Sequence, residues 1–352
     1  MTTMAGGRPA VTAGVDTHGD VHALAALDPL GRVIGRTVVG STPAGHAAAL
    51  RWLGGHGHVT AVGVEGTGSY GAQLARDLRR GGHRVVEVDR PDRAGRRRRG
   101  KDDAIDAEAA ARAVLAGTAT ATPKTRDGLV ESIRALRVAR RGVVRDRTAA
   151  VNQLRALTLT APPEIREQFR GLTAVALVRA AARLRPAADL ADPVAATKYA
   201  LREVARRHEF LTRQLRDLDA QLAPLVRAAA PGLVALFAVG VDTAGALLVT
   251  AGDNPDRLRS EAAFAHLCGV APLPASSGKT QRHRLNRGGD RRANNALWRI
   301  ALVRMSHDQR TRDYVTRRTA EGLSKPEIMR CLKRYIAREI YAALRAPALD
   351  GL

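Results

Sequence analysis

The hydrophobic pattern of this chain changes period along its length. Residues 11–15, 21–27, 33–39, 60–64 and 84–88 are short apolar, valine-containing runs bounded by turn residues, which predicts strands. Asp28-Pro29-Leu30-Gly31 is a turn signal between the second run and the third, so the first three read as a meander. Apolar residues recur at helical spacing over about 42–52, 69–80 and 102–115, and Thr42 offers an N-cap ahead of Pro43. The predicted order is βββαβαβα, a mixed sheet with helices on its faces.

Strand signals vanish after residue 122. Leu201, Val204, His208, Leu211, Leu215, Leu218, Leu222 and Leu225 step by threes and fours. This heptad-like seam suits a coiled coil or a helix packed on its own domain. Pro162-Pro163 and Pro186 divide the region into several helices. A third block opens at Pro231-Gly232, where residues 236–241 and 244–250 read as helix, glycine turn, helix. That is the pattern of a helix-hairpin-helix, whose turn N–H groups can meet phosphate. The expected organisation is an α/β domain over 1–122, a helical coiled-coil region over 123–230 and a mainly helical domain over 231–352.

Composition narrows the partners. Fifty-seven Lys+Arg against 34 Asp+Glu leave a net charge of +23, which points to a polyanion. Codon bias explains why only six of the 57 are lysine, but not the sign of the excess. The charge is uneven: residues 1–90 hold 9 basic and 7 acidic groups, whereas 277–345 hold 18 and 6. Aromatic residues are only 3%, which argues against a stacking platform for single strands. Cys268 and Cys331 are too few for a disulfide framework or a zinc ribbon. The longest apolar stretch, near 233–241, is far short of the ~20 residues of a membrane span. The N-terminus lacks a signal-peptide pattern, so a cytoplasmic protein is expected.

Four carboxylates carry the candidate chemistry. Asp16 closes the first predicted strand and Glu65 follows the fourth. Asp103 and Asp106, three apart at the start of the last helix, share a face, with Asp102 rotated away. Singly, each acid could be a cap or a turn residue. Together, in the ribonuclease H-like order, they supply hard oxygen ligands suited to two Mg²⁺ ions that clamp a phosphodiester displacement. Gly66-Thr67-Gly68-Ser69-Tyr70-Gly71 is also a literal G-x-G-x-x-G, with Asp89 about 20 residues on, so a dinucleotide site is a competing reading. Against it stand the charge of Glu65 and an opening meander that is no βαβ unit.

Basic residues flank these acids. Arg93, Arg96, Arg97, Arg98, Arg99 and Lys101 lie immediately before Asp103 and suit nucleic-acid backbone contact. Farther on, Ser276-Ser277-Gly278-Lys279-Thr280 is a small loop that fails the P-loop spacing, because Leu273 stands where glycine is needed. Lys279, Arg282, Arg284, Arg287, Arg291 and Arg292 surround it with positive charge. The segment fits either a phosphate-binding loop or a serine nucleophile in a cationic setting.

Several motifs resemble a known family: Gly14-Val15-Asp16-Thr17-His18, Gly63-Val64-Glu65-Gly66-Thr67-Gly68-Ser69-Tyr70 and Lys101-Asp102-Asp103-Ala104-Ile105-Asp106-Ala107. They look like those of the DEDD insertion-sequence transposases, the "IS one-ten" family, related to the Piv DNA invertases and described as bridge-RNA-guided recombinases. Phe237-Ala238-Val239-Gly240-Val241-Asp242-Thr243-Ala244, the stretch 267–279 and Arg287-Gly288-Gly289-Asp290-Arg291-Arg292-Ala293-Asn294 are similar to its C-terminal domain. The resemblance runs over nearly the whole chain. It implies a RuvC-like ribonuclease H fold with Asp16, Glu65, Asp103 and Asp106 as a Mg²⁺-binding tetrad. It also implies Ser277 as a nucleophile that forms phosphoserine with DNA, with Ser276 as its neighbour. Here Asp102 follows Lys101 where the family has Lys-Thr/Ser-Asp. The implied partners are double-stranded donor and target DNA, a structured guide RNA and further copies of the chain in a dimer or tetramer. The implied activity is DNA strand cleavage and rejoining; a RuvC-like nuclease and a non-catalytic nucleic-acid-binding protein are the alternatives.

Overall fold

A computed structural model describes residues 8–89, 103–276 and 283–346. The chain forms two compact units. One is the chain up to Gly128 together with Ala251–Phe264; the other is Leu129–Thr250 together with the chain from Ala265 onward.

The first unit is built on a five-stranded sheet: β1 (Ala10–Thr17), β2 (Val21–Leu27), β3 (Val33–Gly40), β4 (His58–Glu65) and β5 (Val85–Val88). The spatial order is β3-β2-β1-β4-β5. β1 pairs antiparallel with β2, and β2 with β3, whereas β4 runs parallel to both β1 and β5. This mixed sheet agrees with the ribonuclease H-like order read from the sequence. Helix α1 (Pro43–His56) starts where expected, with the Thr42 hydroxyl accepting from Gly45 N. Together with α2 (Ala72–Arg80), α1 covers one sheet face. Val15, Leu24, Val62 and Val64 pack there against Leu53, Leu74 and Leu78. His22 is fully buried and stacks on His46 at 5.5 Å, and His46 Nδ1 lies 2.8 Å from Asp77 Oδ2.

Helix α3 (Asp103–Leu115) covers the other face. Its closeness to the sheet is set by two glycines. A Cβ on Gly14 would overlap the Ala107 carbonyl and the Ala111 amide, and one on Gly63 would meet the Ala110 carbonyl. Small Ala23, Ala25 and Ala107 complete the contact. Beside them the buried Glu108 receives Arg36 Nε at 2.6 Å and Arg112 at 2.8 Å. Residues 251–264 are stitched to the same unit by polar contacts. Asn254 Nδ2 donates to Pro123 O (3.0 Å), Thr125 N donates to Asn254 Oδ1 (3.2 Å) and Arg259 donates to Thr120 O (3.0 Å).

The second unit is helical. α4 (Leu129–Leu159) pairs along its length with α7 (Pro193–Ala229), and α5 (Pro163–Phe169) and α6 (Ala174–Ala182) cap one end. The breaks fall at Pro162-Pro163 and near Pro186, as read from the sequence. The leucine seam of α7 meets α4 of the same chain: Leu201 shares a core with Leu154, and Leu211 and Leu215 share one with Val143. α8 (Pro231–Val234) is a single turn, followed by an irregular segment, and α9 (Val241–Ala251) begins after it. Residues 236–240, expected as the first helix of a helix-hairpin-helix, are therefore not helical, and only the second expected helix forms, as α9. The left-handed residue before α9 is Ala238 (φ 66°) rather than Gly240. α10 (Glu261–Leu267) is followed by two short strands paired antiparallel, β6 (Leu273–Pro274) and β7 (His283–Arg284), then by α11 (Arg291–His307), α12 (Gln309–Ala320) and α13 (Lys325–Arg345). Among the described residues, no helix is long and apolar enough to cross a membrane.

Candidate active site

Side chains two apart on a strand share a face. Gly14 and Asp16 therefore face α3 together, as do Gly63 and Glu65 one strand over. Because β1 and β4 are parallel and Gly14 pairs with Gly63, both acids lie at the same strand ends. The Thr17 hydroxyl ties those ends together by donating to Glu65 O (2.9 Å). The first turn of α3 brings Asp103 and Asp106 to that edge. Asp16 and Asp106 are buried, Glu65 is half-buried and the Asp103 side chain is 46% exposed.

His18, to which the sequence pattern assigns no role, lies in the turn after β1. Its Nε2 is 3.1 Å from Asp16 Oδ2 and 3.2 Å from Asp103 Oδ1. The ring thus bridges acids from the strand and the helix. Asp16, His18 and Asp103 each offer a ligand atom within 4.8 Å of the others. Burial raises the Asp16 pKa; His18 opposes that rise, while Asp106 and Asp103 add to it. A divalent cation would remove the repulsion, and the mostly hard oxygen donors suit Mg²⁺.

The glycine-rich loop takes a different form from a dinucleotide site. Ser69 N and Gly71 N both donate to Gly66 O, at 2.8 and 3.2 Å, so two of its N–H groups are spent inside the turn. Thr67 Oγ1 donates to Glu87 (2.5 Å), and Asp89 is exposed beyond β5.

Of the predicted basic contacts, Arg284, Arg287, Arg291 and Arg292 are exposed. Ser277, Lys279 and Arg282 lie outside the described residues, as do Arg93, Arg96, Arg97, Arg98, Arg99, Lys101 and Asp102. The motif after the serine segment anchors its base. Asp290 caps α11 by accepting from Arg292 N (2.8 Å), and it also accepts from the Thr250 hydroxyl (2.9 Å). Asn294 donates to the carbonyls of Cys268 and Gly269. Gly289 sits so close to Gly269 that no Cβ would fit. Cys268 is buried, and burial pushes its thiol well above the usual range, as expected for an inert core cysteine.

A mixed sheet with acids at adjacent strand ends and on a helix packed against it is consistent with a ribonuclease H-like class of domain. A family model described as "Transposase" matches residues 13–162, which include all four acids, and a second, "Transposase IS116/IS110/IS902 family", matches residues 233–316. The chain belongs to this transposase family. It is also 34% identical over 135 residues to "Insertion element IS110 uncharacterized 43.6 kDa protein" of Streptomyces coelicolor (strain ATCC BAA-471 / A3(2) / M145). That match covers 38% of this chain and 33% of the relative, so the chain spans about a third of the relative's length.

Proposed function

We propose that this protein is a DNA transposase-recombinase with a RuvC-like catalytic domain, acting on double-stranded donor and target DNA. The observation that carries the reading is the convergence of Asp16, Asp103 and Asp106 beside Glu65, in a chain of the transposase family. Asp16, Glu65, Asp103 and Asp106 would hold Mg²⁺, two ions in the full site, with His18 beside them. When bound, the metal supplies Lewis-acid neutralisation of charge on the phosphate.

Ser277 is the proposed nucleophile. Its Oγ bonds to phosphorus as the bond from phosphorus to a deoxyribose oxygen breaks. The serine proton passes to a base, and the departing oxygen takes up a proton. Attack by a hydroxyl of another strand reverses these events and restores the serine. The phosphoserine conserves the phosphodiester bond, so the exchange needs no co-reactant. A structured guide RNA and a homo-oligomeric assembly complete the proposal, by similarity to the family.

The test traps covalent protein–DNA adducts in the presence of Mg²⁺. Wild type should form them, and Ser277→Ala should form none. Adducts that persist in Ser277→Ala would refute the serine step. Asp16→Asn or Glu65→Gln should lower strand exchange by about 100-fold or more, as loss of a group stabilising transition-state charge does. Exchange at the wild-type rate in both would refute the metal-site assignment.

A further inference from the structure

In the second unit, α4, α9 and α11 line a cavity of about 370 Å³ whose walls carry seven arginines and one carboxylate, Asp242. The arginines are ordered. Arg137, Arg141 and Arg145 form an i, i+4, i+8 row on α4, in steps of about 6 Å. On α11, Arg291, Asn295 and Arg299 form a second row with the same spacing.

This arrangement works against the stability of the free protein. Like charges four apart on a helix repel, and Arg291 and Arg292 sit in the first turn of α11, where the helix dipole disfavours cations. Counter-charge is incomplete. Asp242 serves Arg137 at 2.7 Å, Arg140 at 3.3 Å and Arg299 at 2.5 Å, and Arg145 meets its neighbour Asp146. Among the described residues, no carboxylate lies within ion-pair distance of Arg141, Arg291 or Arg292. Burial lowers the Arg141 pKa, and Arg292, Arg137 and Arg134 press it down further, while Asp290, beyond ion-pair distance at the start of α11, opposes them. An ordinary solvated face would spread such charges apart; here two rows converge on one concavity, with the Asn295 amide as a neutral donor.

From this geometry we infer that the α4–α11 trough is a binding site for the phosphodiester backbone of a nucleic acid. Successive arginines in each row would take successive phosphates, and Asp242 would hold three of the guanidinium groups in place. The choice of occupant rests on the nucleic-acid reading above; the trough itself depends on neither the acidic cluster nor Ser277.

The experiment measures binding of a labelled random-sequence DNA duplex and a labelled RNA hairpin by fluorescence anisotropy, in EDTA, across a series of salt concentrations. For Arg141→Gln/Arg292→Gln, affinity at moderate salt should fall about tenfold or more. The slope of log affinity against log salt should become shallower by about 0.9 per lost phosphate contact on duplex DNA, and about 0.7 per contact on a single strand. The larger loss, on DNA or on RNA, identifies the occupant. Because the substitutions relieve repulsion, unfolding should show the free variant at least as stable as wild type. Arg141→Lys/Arg292→Lys should keep most of the binding. Arg166→Gln/Arg183→Gln, at exposed positions of the same unit, removes the same charge and should change little. Wild-type affinity and slope in Arg141→Gln/Arg292→Gln, or an equal loss in the Arg166/Arg183 control, would overturn the trough. Failure of the wild-type protein to bind either nucleic acid would instead overturn the nucleic-acid reading.

Discussion

Gly14 and Gly63 are register partners on parallel β1 and β4, and both lie beneath the backbone of α3. Their missing side chains let the helix rest on the sheet, and that contact carries Asp103 and Asp106 to the strand end that bears Asp16. Gly14→Ala forces the helix away, because the new Cβ overlaps backbone atoms that cannot rotate aside. The expected cost is about 1–3 kcal/mol. It should be visible in chemical unfolding, together with weaker metal binding. A Gly14→Ala protein with wild-type stability and metal affinity would contradict this role.

His18 joins Asp16 to Asp103 through one nitrogen. Its removal should lower metal affinity by about 10-fold or more, the range seen when groups that orient metal ligands are lost. Mn²⁺ titration followed by electron paramagnetic resonance measures this without relying on turnover. His18→Ala should lose the affinity and His18→Gln should keep part of it. Equal affinity in all three proteins would show that the ring is a bystander.

His22 makes the first unit sensitive to mild acid. Burial lowers its pKa, and His46 and His18 reinforce the shift. The unfolded chain therefore takes up a proton near pH 6.5 that the folded chain resists. The sign follows: this part of the stability is present above about pH 6.5 and is lost as pH falls toward the lower folded value. Denaturant unfolding of the wild type should weaken between about pH 7 and pH 5. His22→Leu should flatten that dependence, and an unchanged slope would disprove the assignment.

Asp242 behaves oppositely in cause. Burial opposes its ionisation, but Arg137, Arg299 and Arg140 outweigh it and hold the carboxyl below its ordinary value. The stabilisation is complete above the unfolded value near 3.9 and disappears as pH falls through the lower folded one. Asp242→Asn should cost about 2 kcal/mol at pH 7, and the difference from wild type should shrink at about pH 3. A constant difference across that range would refute the ionic account.

Much of this was legible in the primary sequence because the responsible forces act locally. β2 was bounded correctly at residues 21–27, since the Asp28-Pro29-Leu30-Gly31 turn closes it. The Thr42 cap depends only on the next three residues. The acids could be assigned to strand ends and a helix start, but their convergence depends on sheet register and on two glycines 49 residues apart in the chain. His18 lies in a turn, where periodicity says little about direction. The glycine before α9 suggested a tight turn, yet the left-handed conformation falls at Ala238. Arg291 and Arg292 are legible in the sequence as basic positions, but a trough that they form with arginines of α4, about 150 residues earlier in the chain, is not.

The return of residues 251–264 to the first unit sets a timetable for biosynthesis. At about 5–20 residues per second, the ribosome needs on the order of ten seconds after Gly128 to deliver that segment. During that interval the sheet and α3 are already made, while the carbonyls of Thr120 and Pro123 still await Arg259 and Asn254. A nascent chain arrested before residue 251 therefore holds an unfinished domain, and a gene truncated at residue 128 encodes one.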